Sequence, residues 1–342
     1  MVRGKNKKKI LMKDCDILHI IKTENKSEIE SLFAQARKVR EEHYGKSVYI
    51  RGLIEFTNYC KNDCYYCGIR CSNSKLERYR LSLQEILNCC RTGDKLGIKT
   101  FVLQGGEDPW YSGERIAQII TAIRSEFPNH AITLSTGERS QADYELFFSA
   151  GANRYLLRHE TALESHYIKL HPPSQTLDNR KQALKTLKKI GYQVGAGFMV
   201  GTPWQTPESL LADIRFLEEL QPQMIGIGPF IPQKDTPFST EPPGCLNLCL
   251  KMLSLCRLLL PKALIPATTA MGTITSNGRE LAFDAGANVV MPNLSPEAAK
   301  KLYTIYDGKI STGAEAAENL YLLKEKIINA GYEPDMSRGD AK

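Results

Sequence analysis

The sequence lacks any run of about 20 apolar residues, so no segment has the length and character of a membrane-spanning helix. No apolar signal core follows the opening Met1-Val-Arg-Gly-Lys-Asn-Lys-Lys-Lys9, and the expected location is the cytoplasm. Neither sign of charge dominates. The 342 residues carry 45 basic and 38 acidic side chains, a net charge of +7. Arg3, Lys5, Lys7, Lys8 and Lys9 supply five of those charges, and the rest of the chain is nearly neutral. That balance argues against a dedicated nucleic-acid surface, and the basic start reads as a frayed, solvated end. Ten cysteines are present, a high count for a reducing compartment. A chain this long can build its own core without disulfides, so the cysteines call for another explanation.

Short apolar runs alternate with amphipathic stretches along most of the chain. Strands are expected at Val48–Phe56, Thr100–Gln104, Ala131–Ser135, Arg154–Arg158, Gln193–Val200, Met224–Gly228, Leu264–Ala267 and Asn288–Met291. Helical patterns lie between them, among them Ser82–Leu96, Gly113–Phe127, Leu177–Ile190 and Pro207–Leu220. Ser82 and Glu85 have capping-box spacing, and Gly97, Gly151, Gly191 and Gly286 stand where helices end. Eight such units predict an α/β fold, a (β/α)8 TIM-type barrel, with a doubly wound sheet as the alternative. The expected division is an N-terminal helical extension over 1–45, with a helix from Ser27 to Tyr44, the barrel over 46–310, and a C-terminal helix and tail over 311–342. In such a barrel the reactive groups gather at the C-terminal ends of the strands.

Directly after the first strand comes Tyr59-Cys60-Lys-Asn-Asp-Cys64-Tyr-Tyr-Cys67, a C-x3-C-x2-C spacing. Three thiolates suit a [4Fe–4S] cube and leave its fourth iron free for the amine and carboxylate of S-adenosylmethionine (SAM). One electron from such a cluster splits the sulfonium and yields a 5′-deoxyadenosyl radical. A structural zinc site is the alternative, but zinc prefers four ligands in paired clusters and no second Cys or His pair follows. Cys71 is left out, because a fourth thiolate would block the open iron. Cys89, Cys90, Cys245, Cys249 and Cys256 fall on helical patterns and read as small apolar fillers.

Other segments narrow the reading. Strand two ends in Gln104-Gly105-Gly106-Glu107-Asp108-Pro109, whose glycines would let the backbone approach a ligand, although a ligand-free tight turn would look alike. Arg158-His-Glu-Thr161 follows strand four, Gly201-Thr-Pro-Trp follows strand five, and strand seven runs into Thr268-Thr269-Ala-Met-Gly-Thr. With the cysteine loop, these segments resemble the HydE family of [FeFe]-hydrogenase maturases, within the radical SAM superfamily, over about residues 28 to 310. Biotin synthase and methylornithine synthase have related barrels. The resemblance implies one [4Fe–4S] cluster on Cys60, Cys64 and Cys67. It implies SAM held by Tyr66, Gln104, Gly105, Gly106, Glu107, Ser135, Glu160, Arg180 and Gly201. It also implies a step in assembling the hydrogenase diiron subcluster, on a small organometallic substrate bearing cysteine, carbonyl and cyanide. The other maturases HydF and HydG and a low-potential electron donor would be partners, with no membrane or nucleic acid involved. A second cluster, which a C-terminal cysteine trio would hold, is not expected. A methylornithine synthase-type isomerase is the rival enzyme, and an iron–sulfur or zinc protein that only binds RNA or a partner is the rival without catalysis.

Strand parity adds the substrate space. Residues 154, 156, 158 and 160 share a face, so Arg158 and Glu160 both point into the mouth. Arg51 shares a face with Glu55 deeper in the barrel. Thr268 and Thr269 would add hydroxyls, and Tyr303 would act as a lid. Arg51, Arg158, Thr268, Thr269 and Tyr303 are thus the candidate substrate-facing residues, though each could be a satisfied interior polar group. His171, before Pro172, reads as a surface substitution.

Overall fold

The computed structural model describes residues 12–342. The basic segment over residues 3–9 lies outside them. Two helices precede the barrel. Asp14–Lys22 was not anticipated, and Lys26–Tyr44 is capped by the Asn25 side chain, which accepts from the Ser27 and Glu28 amides.

The strands form one closed ring of parallel neighbours. Gly52–Thr57, Thr100–Gly105, Ala131–Ser135, Arg154–Leu156, Gln193–Ala196 and Met224–Ile225 pair in sequence order. Met224 bridges Leu264, Pro266 bridges Val289, and Val289 pairs with Tyr49 of Ser47–Ile50, which returns the ring to its start. Eight strand positions in parallel sequence order make a (β/α)8 barrel, not a doubly wound sheet.

Where the ladder departs from expectation, the cause is visible. The first strand is split at Arg51, because its lower half pairs with Val289–Val290 and with a C-terminal strand, while its upper half pairs with Thr100–Gly105. The seventh position makes only isolated bridges, since Pro266 can donate no ladder hydrogen bond. Thr268 and Thr269 are therefore not strand residues: Thr269 begins a short helix, Thr269–Ile274.

Helix signals in the sequence are realised. Ser82 and Glu85 form a reciprocal cap on Leu83–Lys95, and Gly151 and Gly191 end their helices at φ of 113° and 111°. Cys89, Cys90, Cys249 and Cys256 are buried on helices, as small fillers should be. Cys245 is not a filler, because it is exposed at the start of Leu246–Leu259.

The C-terminal tail closes the end of the barrel opposite the cysteines. Glu333–Asp335 pairs with Ser47–Tyr49, and the next residues run under the strands. There Arg154 donates to Arg338 O (2.9 Å), Gly339 O (3.2 Å) and the Asp340 carboxylate (2.7 Å). Arg51 donates to Gly339 O at 3.1 Å and lies 3.3 Å from Met224 Sδ. A cavity of only about 20 Å³ remains above this plug, lined by Arg51, Val102, Thr133 and Met224 among others, too small for a ligand. Any reactive space is therefore at the other end.

Candidate functional site

The cysteine loop leaves the top of the first strand and is held from several sides. Arg78 clamps it by donating to four carbonyl oxygens, those of Asn58 (2.6 Å), Ile69 (2.9 Å), Arg70 (2.6 Å) and Asn73 (3.1 Å). Arg70 grips Asp63 through Nε at 2.6 Å and through Nη2, pinning the stretch between Cys60 and Cys67. Gly68 is packed so tightly that an added Cβ would lie 2.0 Å from Thr304 O, which fixes the segment around Tyr303 against the loop.

Cys60, Cys64 and Cys67 are all half-buried free thiols. Burial first, and the neighbouring Cys60 second, push Cys64 up to about 12; burial and the other two cysteines raise Cys67 further still. As thiols these groups hold their protons at neutral pH, and only a bound cationic centre would draw them off. Among the described residues no three such side chains converge closely enough for a single metal ion. Thiolates on one tetrahedral zinc would stand about 3.8 Å apart, given zinc–sulfur bonds near 2.3 Å. A cubane spreads its thiolates over different irons, so the donor set suits the cluster better than one ion. Cys71 is exposed outside this group.

The glycine-rich turn after the second strand lies against the loop. A Cβ on Gly106 would stand 2.2 Å from Tyr59 O and 2.7 Å from Cys60 Cβ, so only glycine fits. Glu107 is buried, accepts from Glu138 N at 2.8 Å and stands 3.5 Å from Lys61 Nζ. Asp108, fully buried, takes Arg80 through both carboxylate oxygens at 2.6 and 2.9 Å. Gln104 Nε2 lies 3.5 Å from the Tyr303 hydroxyl, which places Tyr303 at the mouth, while Ser135 ends the third strand.

Arg158 and Glu160 face one another, as parity requires, with Arg158 Nη2 3.0 Å from Glu160 Oε2. The angle is too poor for a hydrogen bond, so Arg158 Nε, Arg158 Nη2 and Glu160 Oε2 are buried without a hydrogen-bond partner. Glu160 adopts φ +65°, a left-handed conformation unusual for a non-glycine residue, and its amide donates to Gly197 O at 3.1 Å. Behind it, His159 and Asp213 stand 3.2 Å apart, both fully buried. Burial lowers the pKa of His159 and raises that of Asp213, and Asp213 also accepts from Ala162 N at 2.5 Å. Arg180 does not meet Glu160; it donates to Glu138 at 2.5 Å and to Arg158 O at 2.9 Å. Burial works against its charge, but Tyr167, Glu138 and Glu107 hold it protonated. Gly201, at φ +80°, turns the chain after the fifth strand where a Cβ would meet Gly244 Cα at 2.3 Å.

The remaining expectations divide. Thr268 has a buried hydroxyl with no partner, facing Gly228, whose missing side chain leaves space before it. Thr269 is already engaged: its hydroxyl donates to Glu315 at 3.1 Å and accepts from Arg279 at 3.1 Å. Arg51 does not reach the mouth, because it sits below the level of Gly52–Phe101 pairing and is spent on the C-terminal plug. Glu55, on its face, instead meets Lys309 (2.5 Å) and Asn293 (2.8 Å). His171 is not on the surface: it is 1% exposed, stacks on Tyr167 and contacts the Tyr66 hydroxyl at 3.1 Å. Sequence reasoning gave Asp108 no role although it stands in the glycine-rich turn, and it missed Arg78, Asp213 and Lys309. Only Asp213 carried a signal, an acid on the buried face of the amphipathic helix Pro207–Leu220.

Comparison with known proteins agrees with this geometry. Residues 54–217 match the radical SAM superfamily. The chain is 45% identical over 313 residues to the [FeFe] hydrogenase maturase subunit HydE of Thermotoga maritima, covering 92% of this chain and 89% of that protein. It is 32% identical over 296 residues to 3-methylornithine synthase of Methanosarcina barkeri, covering 86% and 83%. The crystal structure of methylornithine synthase PylB superposes with a TM-score of 0.85 at 29% identity, covering 95% of both chains. The barrel, the cysteine loop above it and this degree of identity together show that the chain belongs to the HydE family of radical SAM enzymes.

Proposed function

We propose that this chain acts in assembling the diiron subcluster of [FeFe]-hydrogenase, with Cys60, Cys64 and Cys67 holding one [4Fe–4S] cluster. When bound, the reduced cluster and SAM supply a 5′-deoxyadenosyl radical. The chain's own residues do the rest. Gly106 brings a backbone within reach of the cysteine loop, and Glu160 Oε2, which faces Arg158 without a hydrogen bond, can accept one from a cationic amine. Tyr66, Gln104, Glu107, Ser135 and Gly201 complete the proposed SAM contacts. Arg180, held by Glu138, fixes the Arg158 carbonyl and thereby the turn into Glu160.

The observation that carries the reading is a group of buried polar atoms at the mouth without a hydrogen bond: Arg158 Nε, Thr268 Oγ1 and the ion-paired Arg158 Nη2 and Glu160 Oε2. A buried group without a hydrogen bond costs about 1–3 kcal/mol, and a ligand bound at the mouth would meet that need for Arg158 Nε and Thr268 Oγ1. Gly226 and Gly228 on the sixth position leave room in front of Arg158 and Thr268. A small anionic or cyanide-bearing organometallic substrate suits a guanidinium and a hydroxyl there, with Tyr303 over the opening. Thr269 serves this space through the Arg279–Glu315 pair, and Arg51 supports the barrel floor. HydF, HydG and a low-potential electron donor are the transient partners, in the cytoplasm. Among the described residues no helix is long and apolar enough to cross a membrane.

The test is anaerobic reconstitution followed by two assays. SAM cleavage by the reduced protein with about four iron per chain is expected, and its absence would leave only a binding protein. Co-expression with the other maturases and an apo-hydrogenase should restore hydrogenase activity. SAM cleavage without maturation would favour an isomerase of the methylornithine synthase type.

A further inference from the structure

The helix Glu164–Leu170 ends under the cysteine loop, and the residues that follow brace it. Leu170 O accepts from the Tyr65 amide at 3.0 Å. His171 Nδ1 stands 3.1 Å from Tyr167 O, which can only accept, so Nδ1 carries the proton. Its Nε2 lone pair then accepts from the Tyr66 hydroxyl at 3.1 Å. Gln175 completes the brace. Its amide donates to Pro172 O at 2.9 Å, closing a turn, and its side-chain oxygen lies 3.3 Å from Cys64 Sγ.

In the free protein the Cys64 thiol donates to that oxygen. A cluster-bound thiolate has no proton and can only accept. The two ends of a glutamine amide occupy nearly equivalent positions, so a half-turn about the last side-chain bond presents N–H where the oxygen stood. The backbone turn closed on Pro172 O holds the side chain within reach in either orientation.

We propose that Gln175 donates a hydrogen bond to the cluster-bound sulfur of Cys64 and thereby sets the reduction potential of the cluster. The proposal rests on the ligand assignment above. One electron from a low-potential iron–sulfur or flavin protein takes the cubane from the +2 to the +1 state, and that donor is oxidised. The added negative charge spreads onto the sulfurs, so an N–H dipole aimed at one of them stabilises the reduced state more and raises the potential. Gln175 is a positioning and tuning residue here, acting through the Cys64 sulfur.

The test is a redox titration of the reconstituted protein without SAM, followed by EPR, for wild type, Gln175→Leu and Gln175→Glu. Iron and sulfide per chain should stay at the wild-type level. At a fixed ambient potential the reduced-to-oxidised ratio should fall about tenfold in Gln175→Leu, which is about 59 mV for a one-electron couple. It should fall further in Gln175→Glu, whose carboxylate cannot donate and brings a negative charge. Equal midpoints in all three would overturn the proposal. If the leucine variant assembles little cluster, wild-type protein labelled with 15N in its glutamine side chains decides. A hyperfine coupling from that nitrogen to the reduced cluster supports the bond, and its absence overturns it. Cys64→Ala that kept a full cubane would overturn the ligand assignment itself, and the proposal with it.

Discussion

Replacing Asp108 by asparagine should loosen the turn that seats the glycine pair against the cysteine loop. The Asp108 carboxylate is fully buried and accepts four hydrogen bonds: Arg80 Nε (2.6 Å) and Nη2 (2.9 Å), the Thr57 hydroxyl (2.9 Å) and the Trp110 amide (3.0 Å). An asparagine keeps one acceptor oxygen and turns an N–H toward the guanidinium. Two charge-assisted bonds at about 1.5–3 kcal/mol each set an upper bound. Arg80 is 31% exposed and can be rehydrated, which brings the expected loss to about 2–4 kcal/mol. Burial raises the Asp108 pKa, but Arg80, the Trp110 amide and Thr57 outweigh it and leave the group below the usual carboxylate range. A depressed pKa contributes stability that is present above the unfolded value, about 3.9, and lost as pH falls through the folded one. The variant lacks that contribution, so the gap between wild type and variant should be full at pH 7 and close toward strong acid. Urea unfolding of the metal-free, reduced protein, followed by circular dichroism, measures it. A gap below about 0.5 kcal/mol at pH 7, the level of an ordinary surface change, would refute the reasoning, as would a gap that widens as the pH drops.

Gly106→Ala should leave a folded barrel that retains much less iron after reconstitution, because the new methyl would strike Tyr59 O and Cys60 Cβ; full iron with unchanged SAM affinity would contradict this. Thr268→Val keeps the shape and removes the unpartnered hydroxyl, so calorimetric SAM binding should hold while hydrogenase maturation falls about tenfold, the worth of one hydrogen bond of about 1–2 kcal/mol. Asp340→Asn should cost about 1–2 kcal/mol in urea unfolding, discounted because Asp340 is 40% exposed although its partner Arg154 is fully buried. Its SAM cleavage should be unchanged, since the plug lies at the far end of the barrel.

The barrel was legible because its signals are local. Gly151 and Gly191 end helices through their own φ angles, and Ser82 with Glu85 cap one through a spacing of three. The cysteine loop was legible for the same reason, with three donors inside eight residues. What was illegible depends on contacts between distant segments. Nothing near Arg78 announces that it will collect four carbonyl oxygens of a loop. His171 looked like a surface residue because Tyr66, distant in sequence, reaches it only once the helix Glu164–Leu170 docks under the cysteines. The split of the first strand at Arg51 depends on a tail more than 280 residues later.

The two arginines chosen by parity show the limit most clearly. Parity fixes which face of a strand a side chain occupies, and both Arg51 and Arg158 do point inward. It does not fix depth along the barrel axis, which comes from register between neighbouring strands. Arg51 precedes the Gly52–Phe101 pair near the floor, whereas Arg158 follows the Leu156–Gly195 pair toward the mouth. The same physical demand then has opposite outcomes. A buried guanidinium must find partners or water. Arg51 finds them for both terminal nitrogens in the protein itself, since Nη1 meets the Met224 sulfur and Nη2 the Gly339 carbonyl, and only Nε is left unbonded. Arg158 has a carboxylate at 3.0 Å but leaves Nε and Nη2 without a hydrogen bond. An interior charge satisfied by its own chain holds a fold together. Arg51 keeps only Nε unbonded and lines a floor cavity too small for a ligand, whereas Arg158 leaves Nε and the terminal Nη2 unbonded toward the mouth, and it is Arg158 that calls for a ligand.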